Sequence, residues 1–70
     1  RAKLYARRSV VLEEDIKVGE EFTFKNLTCK RPGTGISPKY LKQLVGKKSA
    51  RNLQKDYILK MSDVLQNHNK

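Results

Sequence analysis

The apolar positions of this chain fall in short runs divided by polar turns, and the longest uninterrupted run is Val10-Val11-Leu12. Ser9-Val10-Val11-Leu12 reads as a short β-type segment, and Phe22-Thr23-Phe24 reads as a second that alternates large, small, large. Ile58-Leu59-Lys60-Met61 is a third strand candidate. Between the first two, residues 13–21 are polar, with Ile16 and Val18 as inward candidates and Lys17-Val18-Gly19-Glu20 as a turn. Lys25-Asn26-Leu27 is expected to turn, and Thr28-Cys29-Lys30 to enter a loop rich in Pro and Gly. The clearest helix follows that loop. Ser37 is a good N-cap, Pro38 suits the first helical position, and Gly46 stands where a C-terminal left-handed residue belongs. Leu41, Leu44 and Val45 share one face of it at i, i+3, i+4 spacing. A helix of about eight residues cannot stand alone and needs the rest of the chain as a packing surface. Residues 47–53 read as extended, 54–57 as a turn, and 62–65 as the start of one helical turn.

A weak internal repeat runs through this pattern. At an offset of 37 residues, Asp15-Ile16 falls on Asn52-Leu53, Phe22 on Leu59, Phe24 on Met61, Asn26 on Asp63 and Leu27 on Val64. Two copies of one strand-turn unit, related by a pseudo-two-fold, would pool two small apolar faces into one core. Chance similarity between short alternating segments is the competing account. Where the first copy has Gly19 the second has Asp56, so if that turn demands positive φ, Asp must adopt it at a modest penalty.

The segment Lys30-Arg31-Pro32-Gly33-Thr34-Gly35-Ile36-Ser37-Pro38 packs two prolines and two glycines behind a pair of cations. Proline fixes φ and glycine opens positive φ, so the run specifies a defined backbone path. On spacing alone it is either a turn leading into the helix or a shaped loop that presents the Arg31 guanidinium to a ligand.

Composition narrows the classes. Seventy residues make one domain at most, with a small core. The charge of +9, from 16 basic and 7 acidic residues, attracts anions. The cations are scattered, and the five aromatics are not interleaved with them as a stacking platform, so a solvated basic surface is preferred over a polyanion- or nucleic-acid-binding module. Cys29 is the one cysteine and His68 the one histidine, far apart in sequence, which supplies neither a zinc site nor a Cys/His pair. The free thiol fits a reducing compartment. No apolar run is long enough to span a bilayer, and no membrane role is expected. Glu13-Glu14-Asp15 and Glu20-Glu21 read as solvated turns, so no catalytic residue and no metal site are expected in this chain. The chain opens on Arg1 without a signal-like segment and is read as one domain of a larger protein.

The string Lys30 to Pro38, with Leu44-Val45-Gly46-Lys47, resembles the C-terminal domain of bacterial N-acetylneuraminate (sialic acid) synthases. Arg8-Ser9-Val10-Val11, Asp15-Ile16-Lys17-Val18-Gly19-Glu20 and Asn26-Leu27 resemble the opening of the same domain. The likeness covers roughly residues 7–65, and the domain type is called antifreeze-like, or SAF, from its similarity to type III fish antifreeze proteins. It implies a mostly β fold, the small β-clip, with short strands, a pseudo-two-fold repeat, one short helix and helical turns. It implies a linker over 1–8 from an upstream (β/α)8 barrel, the antifreeze-like domain over 9–65, and a frayed tail over 66–70. The parent is then a cytoplasmic homodimer that condenses phosphoenolpyruvate with an N-acetylated hexosamine, assisted by Mn²⁺ or Mg²⁺ held in the barrel. In the family the domain caps the barrel of the other subunit, and the Arg of the K-R-P-G motif, by position Arg31, contacts the sugar's acetamido group. Pro32, Gly33, Thr34 and Gly35 would support that loop. The resemblance also leaves an ice-binding role, disfavoured because one-third of the residues are charged.

Overall fold

The computed structural model describes residues 7–65. Most of the expected linker over 1–8, the expected tail over 66–70 and His68 therefore lie outside the described residues. Strand β1 (Ser9–Leu12) pairs antiparallel with β2 (Leu27–Lys30), in register from Ser9↔Lys30 to Leu12↔Leu27. The other edge of β1 is also occupied. The Leu12 N–H donates to the Tyr57 carbonyl at 3.0 Å, the Leu59 N–H donates to the Val10 carbonyl at 3.0 Å, and Val11 bridges Ile58. All four residues of β1 are buried, so side chains on both faces of the strand are covered. A strand covered on both faces reads as a continuous run instead of an alternating one.

The second strand is not where alternation places it. Phe22 is fully buried, but Phe24 is 61% exposed. Asn26 Oδ1 accepts the Thr23 N–H at 2.8 Å, Thr23 Oγ1 accepts the Asn26 N–H at 3.1 Å, and Asn26 Nδ2 donates to the Glu21 carbonyl at 3.1 Å. These side-chain bonds outcompete a ladder and fold 24–26 into a turn. The strand forms one step later, at Leu27–Lys30, where the sequence was read as turn and loop entry. The third candidate is cut short in the same way. Ile58 bridges Val11, but the chain then enters a 3-10 turn at Met61–Asp63 and leaves Met61 52% exposed. Val18, expected inward, is 59% exposed because it sits at the tip of the 17–20 turn, closed by Glu20 N–H to the Lys17 carbonyl at 2.9 Å.

The helix begins as a 3-10 turn at Pro38–Tyr40 and continues as α1 (Leu41–Leu44). Ser37 Oγ accepts the Lys39 N–H at 3.4 Å, and Gly46 follows at φ +99°. Leu44 is buried, while Leu41 and Val45 pack half-buried against the core. That core is one cluster of Val10, Leu12, Ile16, Phe22, Leu27, Leu44, Leu53, Leu59 and Val64.

The repeat is real and is written in the hydrogen bonds. Ile16 and Leu53, 37 residues apart, exchange both N–H···O bonds at 2.8 Å and so lie on the pseudo-two-fold. Around them the bonds come in related pairs. The Asp56 N–H donates to the Leu12 carbonyl at 2.8 Å, as the Gly19 N–H does to the Ser49 carbonyl at 2.7 Å. The Val18 N–H donates to Asn52 Oδ1 and the Lys55 N–H to Asp15 Oδ1, both at 2.8 Å. Asp56 at φ +73° repeats Gly19 at φ +85° and is the one non-glycine residue with positive φ among the described residues. Residues 31–45, the motif loop and helix, connect the two copies.

Candidate functional site: the basic motif loop

The loop leaves β2 at Lys30 and returns to the body at Ile36, whose carbonyl accepts the Val10 N–H at 2.9 Å. The Arg31-Pro32 peptide bond is cis. Inside these limits one buried side chain holds both limbs. Ser9 Oγ donates to the Pro32 carbonyl at 2.5 Å and accepts the Gly35 N–H at 2.8 Å. Sequence reading took Ser9 only as the first residue of a β run, and no local signal marks its role, because both partners lie more than twenty residues away.

The motif glycines are not positive-φ residues; that conformation belongs to Gly19, Gly46 and Asp56. They serve close approach instead. A Cβ at Gly33 would collide with Arg7 Cβ and sit 3.0 Å from the Arg7 carbonyl carbon. A Cβ at Gly35 would sit 2.5 Å from Ile58 Cγ2 and 3.2 Å from the Leu59 carbonyl oxygen. The loop is thus pressed onto the chain at 7–9 and 58–59, which explains its fixed path better than turn chemistry does.

The two cations at its head differ. Lys30 Nζ pairs with Asp56 Oδ1 at 2.9 Å, tying the loop's base to the second positive-φ turn. The hydrogen bond and the opposite charge hold the Lys30 ammonium above its ordinary pKa and the Asp56 carboxyl below its own. Arg31 is exposed, and among the described residues no carboxylate lies within ion-pair distance of it. Its guanidinium keeps a fixed charge and five donors for an external acceptor. Thr34 is exposed near the tip, and Pro32 and Gly33 separate it from Arg31. The expected site residues 31–35 therefore form one surface element, with Arg31 as its free charged group.

Beside the loop lies an apolar cleft of about 670 Å³ lined by Ile36, Ser37, Tyr40, Leu44, Leu59 and Met61. A second depression of about 480 Å³ along the loop collects Arg7, Arg8, Gly33 and Pro38. Cys29 is a half-buried free thiol. Among the described residues no group of three or more His, Cys, Asp or Glu is gathered to hold a metal, and no helix is long and apolar enough to cross a membrane.

The chain is 41% identical over 54 residues to the N,N'-diacetyllegionaminic acid synthase of Campylobacter jejuni, covering 77% of this chain and 16% of that protein. It is 39% identical over 56 residues to a pseudaminic acid synthase of Campylobacter jejuni, covering 80% of this chain and again 16% of the relative. The chain thus spans about a sixth of the length of these synthases. Among solved structures, the antifreeze protein like domain of human N-acetylneuraminic acid phosphate synthase superposes with a TM-score of 0.85 at 30% identity, covering 99% of this chain and 87% of that one. The β-clip architecture expected from the sequence is therefore the one observed. The SAF domain model matches residues 7–65, nearly the whole chain, and the chain belongs to the SAF domain family.

Proposed function

We propose that this chain is the accessory, substrate-capping domain of a sialic-acid-type synthase, a cytoplasmic enzyme that condenses phosphoenolpyruvate with an N-acetylated hexosamine. The chain itself is not a catalyst. Its partner is the barrel domain of the other subunit in a homodimer, and its contribution is Arg31, which hydrogen-bonds the acetamido oxygen of the sugar in the partner's active site. The observation that carries the reading is the exposed Arg31, without a counter-ion among the described residues, on a loop pinned at both limbs by Ser9. Arg binds a carbonyl oxygen without changing protonation state, and a preformed loop lowers the ordering cost of docking. Closing the barrel mouth with this surface would exclude water from the reaction. The reading assigns the Mn²⁺ or Mg²⁺ to the barrel, outside this chain. That the relatives are named as synthases of diacetylated or related sugar acids supports an N-acyl group as the recognised feature.

Steady-state kinetics of the full-length parent with Arg31→Ala test it. Loss of a charged hydrogen bond in a closed site costs about 1.5–3 kcal/mol, roughly ten- to a hundredfold. We expect that loss in kcat/KM for the sugar, with the value for phosphoenolpyruvate little changed. Unchanged sugar kinetics would refute the assignment of Arg31. A polyanion-binding module would instead lose affinity evenly on removal of any one of several cations, with a steep salt dependence.

A further inference from the structure

We infer that Ser9 is a positioning residue that sets the placement of Arg31 through the loop, an inference that rests on the role proposed for Arg31. Ser9 is fully buried at the start of β1, directly opposite Lys30 in the antiparallel register. The ladder between β1 and β2 ends at that pair, and the loop begins at the next residue. Past that pair the backbone of the loop is held by a side chain, the Ser9 hydroxyl. It spends its donor on the Pro32 carbonyl and an acceptor lone pair on the Gly35 N–H, so one oxygen ties together the two limbs of the loop across Gly33 and Thr34.

The residue 37 positions on from Ser9 is Gly46, an exposed residue at φ +99° that follows the helix, so the two positions differ in backbone as well as in side chain. The hydroxyl has no counterpart at that position of the second copy, and both of its hydrogen bonds go to the motif loop. The space around it is closed to solvent: Ser9 is fully buried. Serine combines small volume with a donor and an acceptor, whereas alanine fills nearly the same space and leaves the Pro32 carbonyl and the Gly35 N–H without that partner. Removing the hydroxyl leaves Arg31 its charge and its five donors and takes away only the fixed path that aims them.

Kinetics of the full-length synthase carrying Ser9→Ala, Arg31→Ala and the double substitution test the inference. Misplacement of a binding group costs rate without removing the group, so Ser9→Ala is expected to lower kcat/KM for the sugar about tenfold and to spare the value for phosphoenolpyruvate. In the Arg31→Ala background the same change is expected to cost less than about twofold, because the residue it acts through is gone. Equal losses in both backgrounds would overturn the inference and leave Ser9 a structural residue only. Sugar kinetics left unchanged by Arg31→Ala would overturn the proposed role of Arg31 and this inference together. Amide exchange in the 70-residue chain gives a readout independent of the enzyme. The Gly35 amide is expected to exchange at least about tenfold faster in Ser9→Ala, with the mutually bonded Ile16 and Leu53 amides unchanged. Unchanged Gly35 exchange would overturn the clamp itself. Ser9→Cys, which keeps the size of the side chain with a weaker donor and acceptor, is expected to show the same pattern in reduced size and guards against a folding defect in the alanine variant.

Discussion

Asp63 is the one buried charged side chain among the described residues. It is fully buried, and its Oδ2 accepts the Tyr57 hydroxyl at 2.8 Å and the Lys60 N–H at 2.9 Å. Arg51 Nε lies 3.1 Å from Oδ1 without its N–H aimed along the contact, so that oxygen has an ion-pair partner but no directed hydrogen bond. At the related position of the first copy, Asn26 Oδ1 accepts the Thr23 N–H, so a neutral amide performs the turn-closing part of this work. A buried carboxylate depends on each donor it has. Tyr57→Phe is therefore expected to destabilise the domain by about 1.5–3 kcal/mol in urea denaturation. The same bond holds the Tyr57 hydroxyl above its ordinary value near 10.0. A raised folded pKa means the stabilisation is fully present below that ordinary value and is lost as pH rises through the folded one. Ultraviolet titration should accordingly show a tyrosine ionising above the usual range, a phase that Tyr57→Phe removes; its persistence in that variant would contradict the assignment. The exposed Lys30–Asp56 pair acts at the other end of the scale. The Asp56 carboxyl is held below its ordinary value near 3.8, so its contribution is present above that value and lost as pH falls through the folded one. Salt is expected to bring its carboxyl titration back toward the ordinary value, because both partners are exposed.

Among the elements, the motif loop depends on contact more than on turn type, and this yields a steric prediction. Gly35→Ala would drive a Cβ against Ile58 Cγ2 and the Leu59 carbonyl oxygen, and the backbone oxygen cannot move aside as a flexible side chain can. We expect a cost of about 1–3 kcal/mol, read from the denaturation midpoint. An unchanged midpoint would mean the loop lifts off the body at no cost. The same contrast explains what was legible beforehand. The helix could be read because its signals are local: a serine cap, a proline at its first position, a glycine beyond its end. Arg31 could be singled out because proline and glycine flank it in sequence. Asp56 at positive φ could be anticipated only through the repeat, since nothing in its own neighbourhood asks for it. The strand expected at 22–24 failed because Thr23 and Asn26 spend their side chains on the backbone, a choice that apolar alternation does not register. Ser9 and the tight packing at Gly33 and Gly35 were hidden because their partners are distant in sequence and become neighbours only once β1 lies against the second copy.

At the scale of the whole molecule, the pseudo-two-fold makes the two copies one cooperative unit. The second copy supplies the 57–59 segment along the free edge of β1, and by symmetry the 20–22 segment lies along 47–49, with Glu21 bridging Lys48. Neither copy completes its own backbone pairing. Ile16 and Leu53 stand on the axis, exchange two hydrogen bonds and belong to the same buried cluster, so damage at either is felt by both halves. A domain of this size buries only about 60% of its unfolded surface and has a core worth roughly 3–5 kcal/mol. Ile16→Ala or Leu53→Ala, at about 2–5 kcal/mol each, would consume most of that margin. The expected outcome in urea is one transition, reported identically by the methyl signals of Val10 in the first copy and Leu59 in the second, and shifted equally at both sites by either substitution. Separate midpoints for the two signals would mean that the halves fold as independent units. The motif loop, which connects them, would then lack the single rigid base on which the placement of Arg31 depends.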